Sequence, residues 1–156
     1  MRWVVAIALC LSPLLSRAQT PAPQHRVHDS ATVTRLYDFI RDWWRTDYRY
    51  GGTSKNGIDC SAFTRALYSR VYSKPLPRTA SQQHAATSRV RRDSLMPGDL
   101  VFFRHKPKGR TSGWHVGVYI TGGFFVHSGS GVGVFINNIE EPRYRKIYYG
   151  AGRVSK

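Results

Sequence analysis

The chain of 156 residues holds only two cysteines, and Cys10 falls in an amino-terminal segment that reads as removed on export, leaving Cys60. A mature chain with one thiol can form no internal disulfide, so it must rely on its own core. Acidic side chains are scarce, 9 against 24 lysines and arginines, for a formal charge of +15. That imbalance points to an anionic partner surface. Nucleic acid is not indicated: zinc-finger spacing, an aromatic RNA-binding signature and a helix dense in Arg and Lys are all missing. The apolar run Val4 to Leu15, broken by Ser12 and Pro13, is too short to span a bilayer comfortably. There is no internal repeat and no low-complexity block, and the length suits one domain.

What is present begins with a secretory signal peptide over residues 1–18. Arg2 supplies the basic start, the run to Leu15 the apolar middle, and Ser16-Arg17-Ala18 the small residues of a cleavage site after Ala18. Leu9, not a small residue, precedes Cys10, so Cys10 does not read as a lipoprotein acceptor. Removal of Arg2 and Arg17 leaves 22 basic and 9 acidic residues, a formal +13. For an exported chain an anionic cell envelope fits that charge, and a plain, well-solvated basic surface fits it equally. A free thiol in an oxidising compartment is a liability unless it is buried or used.

Residues 19–30 read as a flexible lead-in, with His25 and His28 in solvent. Residues 31–156 read as the folded domain. Ser30 is expected to cap a helix whose Val33, Leu36, Tyr37, Ile40, Trp43 and Trp44 repeat at three- and four-residue steps. Cys60 opens a second helix, ended by Lys74-Pro75-Leu76-Pro77. A short polar helix capped by Thr79 or Ser81 follows and carries His84, in a structural or solvent role. Arg89 to Asp93 is a small basic cluster, read as a solvated face. Strands are predicted at Leu100–Phe103, Trp114–Ile120, Phe124–Gly129, Gly131–Ile139 and Tyr148–Val154, with a basic loop over 105–112. Helices first and an antiparallel sheet second give an α+β fold.

The chemistry gathers at Tyr48 to Phe63, Y-R-Y-G-G-T-S-K-N-G-I-D-C-S-A-F. Phe63, Leu67 and Val71 recur at helical spacing, and Asp59 stands at the N-cap position. Cys60 then lies in a first helical turn, where free amides and the helix dipole favour an anion and hence the nucleophilic thiolate. The bland alternative is a lone cysteine buried as a small hydrophobe. A base is available on the strands. Thr121-Gly122-Gly123 signals a hairpin, and pairing the strands about Thr121 sets Tyr119 opposite Gly123, Gly117 opposite Phe125 and His115 opposite His127. A one-residue slip would point one imidazole away. Two adjacent histidines also invite a metal reading with Cys60 as a third ligand, but no fourth ligand is well spaced. As nucleophile, base and orienter, Cys60, His115 and His127 follow the papain-like order.

Y-R-Y-G-G, G-I-D-C-S-A-F, L-P-R-T-A-S-Q-Q, P-G-D-L-V-F-F, H-V-G-V-Y-I and F-V-H-S together resemble the NlpC family of cell-wall cysteine peptidases, from about Trp44 to Val154. The resemblance implies a papain-like NlpC fold, with helices packed on a central antiparallel sheet. It makes Cys60 the nucleophile, His115 the base and His127 the third polar residue. It makes Tyr48 a site tyrosine that helps hold the oxyanion beside the Cys60 amide, and Asp59 and Ser61 contacts of the stem peptide near its L-alanine end. The activity it implies is hydrolysis between γ-D-glutamate and meso-diaminopimelate, or lysine, through a Cys thioester, with no cofactor and no metal. Expected partners are peptidoglycan stem peptides and anionic envelope polymers, in the periplasm or outside the cell, with neither a transmembrane nor a lipid anchor. Ala62 stands where the family has glycine, and its methyl is expected to narrow the cleft. Two other classes fit the same letters: a catalytically inactive envelope-binding module, and a related amidase or acyltransferase on the same fold.

Overall fold

The computed structural model describes residues 30–105 and 113–155. Residues 1–18, read above as a signal peptide, most of the stretch read as a lead-in with His25 and His28, and most of the basic loop after β4 lie outside the described residues.

The first helix, α1, spans Ser30–Trp43 and buries Leu36, Phe39 and Ile40. Ser30 is its first residue rather than a cap, and Phe39 faces inward where Tyr37 was expected; Tyr37 is exposed. The short strands β1 (Thr53–Ser54) and β2 (Gly57–Ile58) form a small hairpin just before α2, Cys60–Tyr72. In α2 the expected stripe of Phe63, Leu67 and Val71 is fully buried. This helix stops one turn before the prolines, at Ser73, which is left-handed with φ 54° and returns its amide to Tyr68. Helix α3 (Ala80–Ala85) starts at Thr79, which forms a reciprocal capping box with Gln82.

A six-stranded antiparallel sheet follows: β3 (Ser88–Val90), β4 (Leu100–His105), β5 (Gly113–Thr121), β6 (Phe124–Gly129), β7 (Gly133–Asn138) and β8 (Tyr148–Arg153), in the order β3-β8-β4-β5-β6-β7. A turn of helix, α4 (Pro142–Arg145), precedes β8. The architecture is α+β. Strand alternation divides the core. Leu100, Phe102, Val116, Val118 and Val126 pack under the helices with Phe63 and Leu67. Val101, Phe103, Phe125 and Tyr144 form a second cluster on the other face. The Asp of the P-G-D motif, Asp99, is buried and accepts Arg153 Nε and Nη2, both at 2.7 Å, which pins β8 to the start of β4.

The β5–β6 hairpin departs from the expected register. Gly122 and Gly123, with φ 57° and 86°, make a two-residue turn with Thr121 opposite Phe124. Ile120 is then an extra residue, and beyond this bulge Tyr119 faces Phe125 and Val118 faces Val126. Continued to the histidines, this register sets Gly117 opposite His127, and His115 lies diagonally from it on the same face. Without the bulge, the two-residue turn would leave His127 on the helix side of the sheet and His115 on the other.

Candidate active site

Asp59 is the N-cap of α2 in extended backbone, and its carboxylate accepts the Ala62 amide at 2.8 Å. It also accepts Gly51 N and Ser61 Oγ, and Arg78 grips it through Nη1–Oδ1 at 3.1 Å and Nη2–Oδ2 at 2.6 Å. Burial pushes Asp59 up, but Arg78, the Ala62 amide and the Ser61 hydroxyl outweigh it and leave the carboxyl below its ordinary value. Ser61 Oγ also accepts Arg78 Nη1 at 3.0 Å. Both side chains expected to meet substrate are therefore committed first to holding the helix tip. Gln83, wholly buried, completes the brace: it donates to the carbonyls of Ser61 and Pro77 and accepts Thr64 Oγ1. The L-P-R-T-A-S-Q-Q stretch thus contributes Arg78, Thr79 and Gln83, whose work sequence reasoning missed because it is done through space.

Cys60 sits at that tip, only 8% exposed, and forms part of the wall of a cleft of about 910 Å³ with Tyr48, Tyr50, Asp59, Ser61, Arg78 and Trp114. Burial drives its thiol up to about 11, against the lowering pull of the Val116, Ser61 and Cys60 amides. The expected pre-formed thiolate is corrected on this point: the helix amides act on the sulfur, but desolvation outweighs them. Val116 follows His115 in β5, so the sulfur lies against the peptide that joins these two residues. Ala62 packs in the core cluster and does not line the cleft, so its methyl does not narrow it. Tyr48 bridges to Ile58 and lines both this cleft and a neighbouring hollow with Arg45, Asp47 and Phe135. Burial, then the nearby Cys60 and Asp59, hold its phenol above the ordinary value, hence protonated.

His115 and His127 do meet. His115 Nε2 lies 2.8 Å from His127 Nδ1, with the rings at 88°. Burial holds both imidazoles well below the usual histidine value, His115 further because His127 and Arg143 add to it. The space for this contact comes from two glycines. A methyl on Gly129 would sit 2.6 Å from His127 Cε1, and one on Gly117 would sit 3.2 Å from His127 Cβ. His127 Nε2 continues to Asn137 Oδ1 at 2.9 Å and to the Tyr144 hydroxyl at 3.0 Å, and Asn137 Nδ2 reaches both oxygens of Glu141 at 3.1 Å. Sequence reasoning missed Asn137, Glu141 and Tyr144. The only available signal was the period of β7, which places Asn137 on the face of Phe125 and His127. His84 takes the structural role expected of it, enclosed by Phe102, Trp114 and Tyr149.

At rest, then, a neutral thiol on the cleft wall lies against β5, the strand that carries His115 of a neutral histidine pair. Such a set can pass a proton from sulfur to imidazole as a bond forms to sulfur.

Residues 45–153 match the NlpC/P60 family. The chain is 34% identical over 152 residues to the probable endopeptidase NlpC of Escherichia coli K12, covering 97% of both chains. It is 40% identical over 131 residues to the murein DD-endopeptidase MepS/murein LD-carboxypeptidase of the same organism, covering 84% of this chain and 68% of that one. Among solved structures it superposes with TM-score 0.72 and 28% identity on an NLP/P60-family protein from Staphylococcus aureus described as similar to lipoprotein. That match covers 82% of this chain and 43% of the longer one, so this chain spans less than half of that structure's length.

Proposed function

Because the chain belongs to the NlpC/P60 family, we propose that it is a cysteine peptidase that hydrolyses amide bonds in the stem peptides of peptidoglycan. The observation that carries this reading is the arrangement of Cys60 at a braced helix tip, in an open cleft, beside the strand that bears the His115–His127 pair. Cys60 Sγ attacks the scissile carbonyl while His115 takes the thiol proton. The tetrahedral oxyanion is held by the Cys60 amide and the Tyr48 hydroxyl, which is protonated and faces the cleft. His115 returns the proton to the leaving amine, and water, activated by the same imidazole, hydrolyses the thioester. His127 orients the His115 ring throughout. Asp59 and Ser61 flank the substrate from the cleft wall, with Arg78 between them as a donor for a stem-peptide carboxylate.

The bond cut is the γ-D-glutamyl–diaminopimelate, or lysine, linkage that the family resemblance implies. The relative named a DD-endopeptidase favours a second reading, in which the D,D bond of a cross-link is cut. Mass spectrometry of muropeptides released from purified sacculi separates the two. Cys60→Ala or His115→Ala, with the fold intact, abolishes release, since acid–base terms alone are worth roughly 10²–10⁴-fold. Undiminished release by either variant would remove the mechanism. Sacculus binding without cleavage, indifferent to thiol alkylation, would instead make the chain an inactive envelope-binding module. A product from another amide or ester would make it a related amidase or acyltransferase. Export by the signal peptide over residues 1–18 brings the domain to the envelope, where its basic surface meets anionic polymers; the amino terminus of the exported protein, read by mass, tests cleavage after Ala18.

A further inference from the structure

We propose that Asn137 and Glu141 are positioning residues that fix which nitrogen of each histidine carries its proton, and so leave the His115 nitrogen that takes the Cys60 proton free to accept it. The inference rests on the assignment of His115 as base and extends the relay two residues beyond His127.

The argument is a chain of forced choices. An ionised Glu141 carboxylate only accepts hydrogen bonds, and it lies 3.1 Å from Asn137 Nδ2 through both oxygens. Glu141 is itself fixed, because it accepts the Asn138 amide at 2.7 Å. The Asn137 amide must therefore turn its nitrogen to Glu141 and its oxygen to His127. That oxygen, 2.9 Å from His127 Nε2, can only accept, so His127 carries its proton on Nε2. Tyr144 is compatible with the same answer. Arg143, a pure donor, occupies its hydroxyl oxygen, and the hydroxyl proton points to Asn137 Oδ1 at 3.2 Å. The Tyr144 oxygen, 3.0 Å from His127 Nε2, is left to accept from it. With Nε2 protonated, neutral His127 has a bare Nδ1, which accepts from His115 Nε2 at 2.8 Å. Neutral His115 then has its remaining lone pair on Nδ1, on the ring edge away from His127. Burial keeps both rings neutral, so neither can escape the choice by binding a second proton.

Histidine 15N shifts in the labelled full-length protein read the tautomers directly, with no substrate and whatever bond the enzyme cuts. The wild type is expected to show protonated Nε2 on both rings. Asn137→Leu loses that preference at His127 and lowers kcat about 10²-fold at little change in KM. Asn137→Asp presents an acceptor to His127 from either oxygen, so it restores the tautomer and kcat to within a few-fold. A merely structural Asn137 would behave oppositely, since Asp forfeits the donor to Glu141 and sets two carboxylates together. Glu141→Ala frees the amide to reverse and lowers kcat in the wild type, but not in the Asn137→Asp background. Unchanged His127 shifts in Asn137→Leu, or Asp no better than Leu, overturn the proposal and leave the peptidase reading standing.

Discussion

The hydroxyl of Ser128 donates to the carbonyl of Ile58 at 2.7 Å across 70 residues of chain, and both residues are fully buried. This bond fastens the strand that carries His127 to the turn that presents Cys60. Ser128→Ala leaves the buried carbonyl to the longer bond from the Arg49 amide at 3.3 Å. Stability should fall by about 1–2 kcal/mol in urea titrations. Peptidase kcat should fall about tenfold, more than KM changes, because the sulfur and the imidazoles lose their common frame. Full activity on a destabilised variant would show that the bond serves the fold alone.

Gly129 offers a test of the space around His127. Its φ is not in the left-handed region, so alanine adds a methyl without backbone strain, and that methyl would lie 2.6 Å from His127 Cε1. Gly129→Ala should fold, with Tm reduced by a few degrees, and lose roughly 10- to 100-fold in kcat on sacculi as the ring is displaced. A variant as active as wild type would mean that His127 need not hold its present orientation.

The thiol and imidazole rest uncharged. Burial raises Cys60 to about 11 and lowers His115, so at pH 7 the proton stays on sulfur until attack begins. Alkylation of Cys60 by iodoacetamide, followed by mass, should be slow at pH 7 and climb about tenfold per pH unit toward 11, tracking the thiolate fraction. A rate already flat below pH 7 would reveal an ion pair formed before substrate arrives.

The same burial makes stability sensitive to acid. The folded His127 titrates at about 4 against an ordinary 6.5, and His115 is lowered still further. The unfolded chain therefore takes up protons first as pH falls. The stability from the neutral rings is whole above about 6.5 and drains away as pH drops toward 4 and below, at up to about 1.4 kcal/mol per pH unit for each ring. Asp59, lowered by its partners, adds to the loss only below the ordinary carboxylate range. Calorimetry from pH 7 to 4 should show a falling Tm, and His127→Leu should flatten the slope by one ring's share. A Tm constant over that range would mean the rings are protonated in the native state.

Much of this site is written locally in the chain. The stripe of Phe63, Leu67 and Val71 and the capping Asp59 fixed where α2 begins, so Cys60 could be placed at its tip from spacing alone. Glycines after Thr121 announced the hairpin. What spacing does not carry is what depends on neighbours distant in sequence. Arg78 reaches Asp59 across 19 residues. The thiol's desolvation belongs to the finished core, which is why the helix dipole alone gave the wrong sign for Cys60. Asn137 and Glu141 matter only once β7 lies beside β6. Ile120 reads as one more apolar residue in an apolar strand, and nothing in its letter marks a bulge.

That extra residue bears on how the hairpin can vary among descendants of this chain. Loss of Ile120 would remove the bulge and leave a regular ribbon in which Tyr119 still faces Phe125, so both imidazoles would stay on one side of the sheet. A single residue lost from a paired stretch of the same ribbon, with the bulge kept, would instead send one imidazole to the far side of the sheet. Length changes tolerated between His115 and His127 should therefore come in even steps within the paired stretches and singly only at the bulge, a bias visible to anyone who selects active variants from a library of loop lengths.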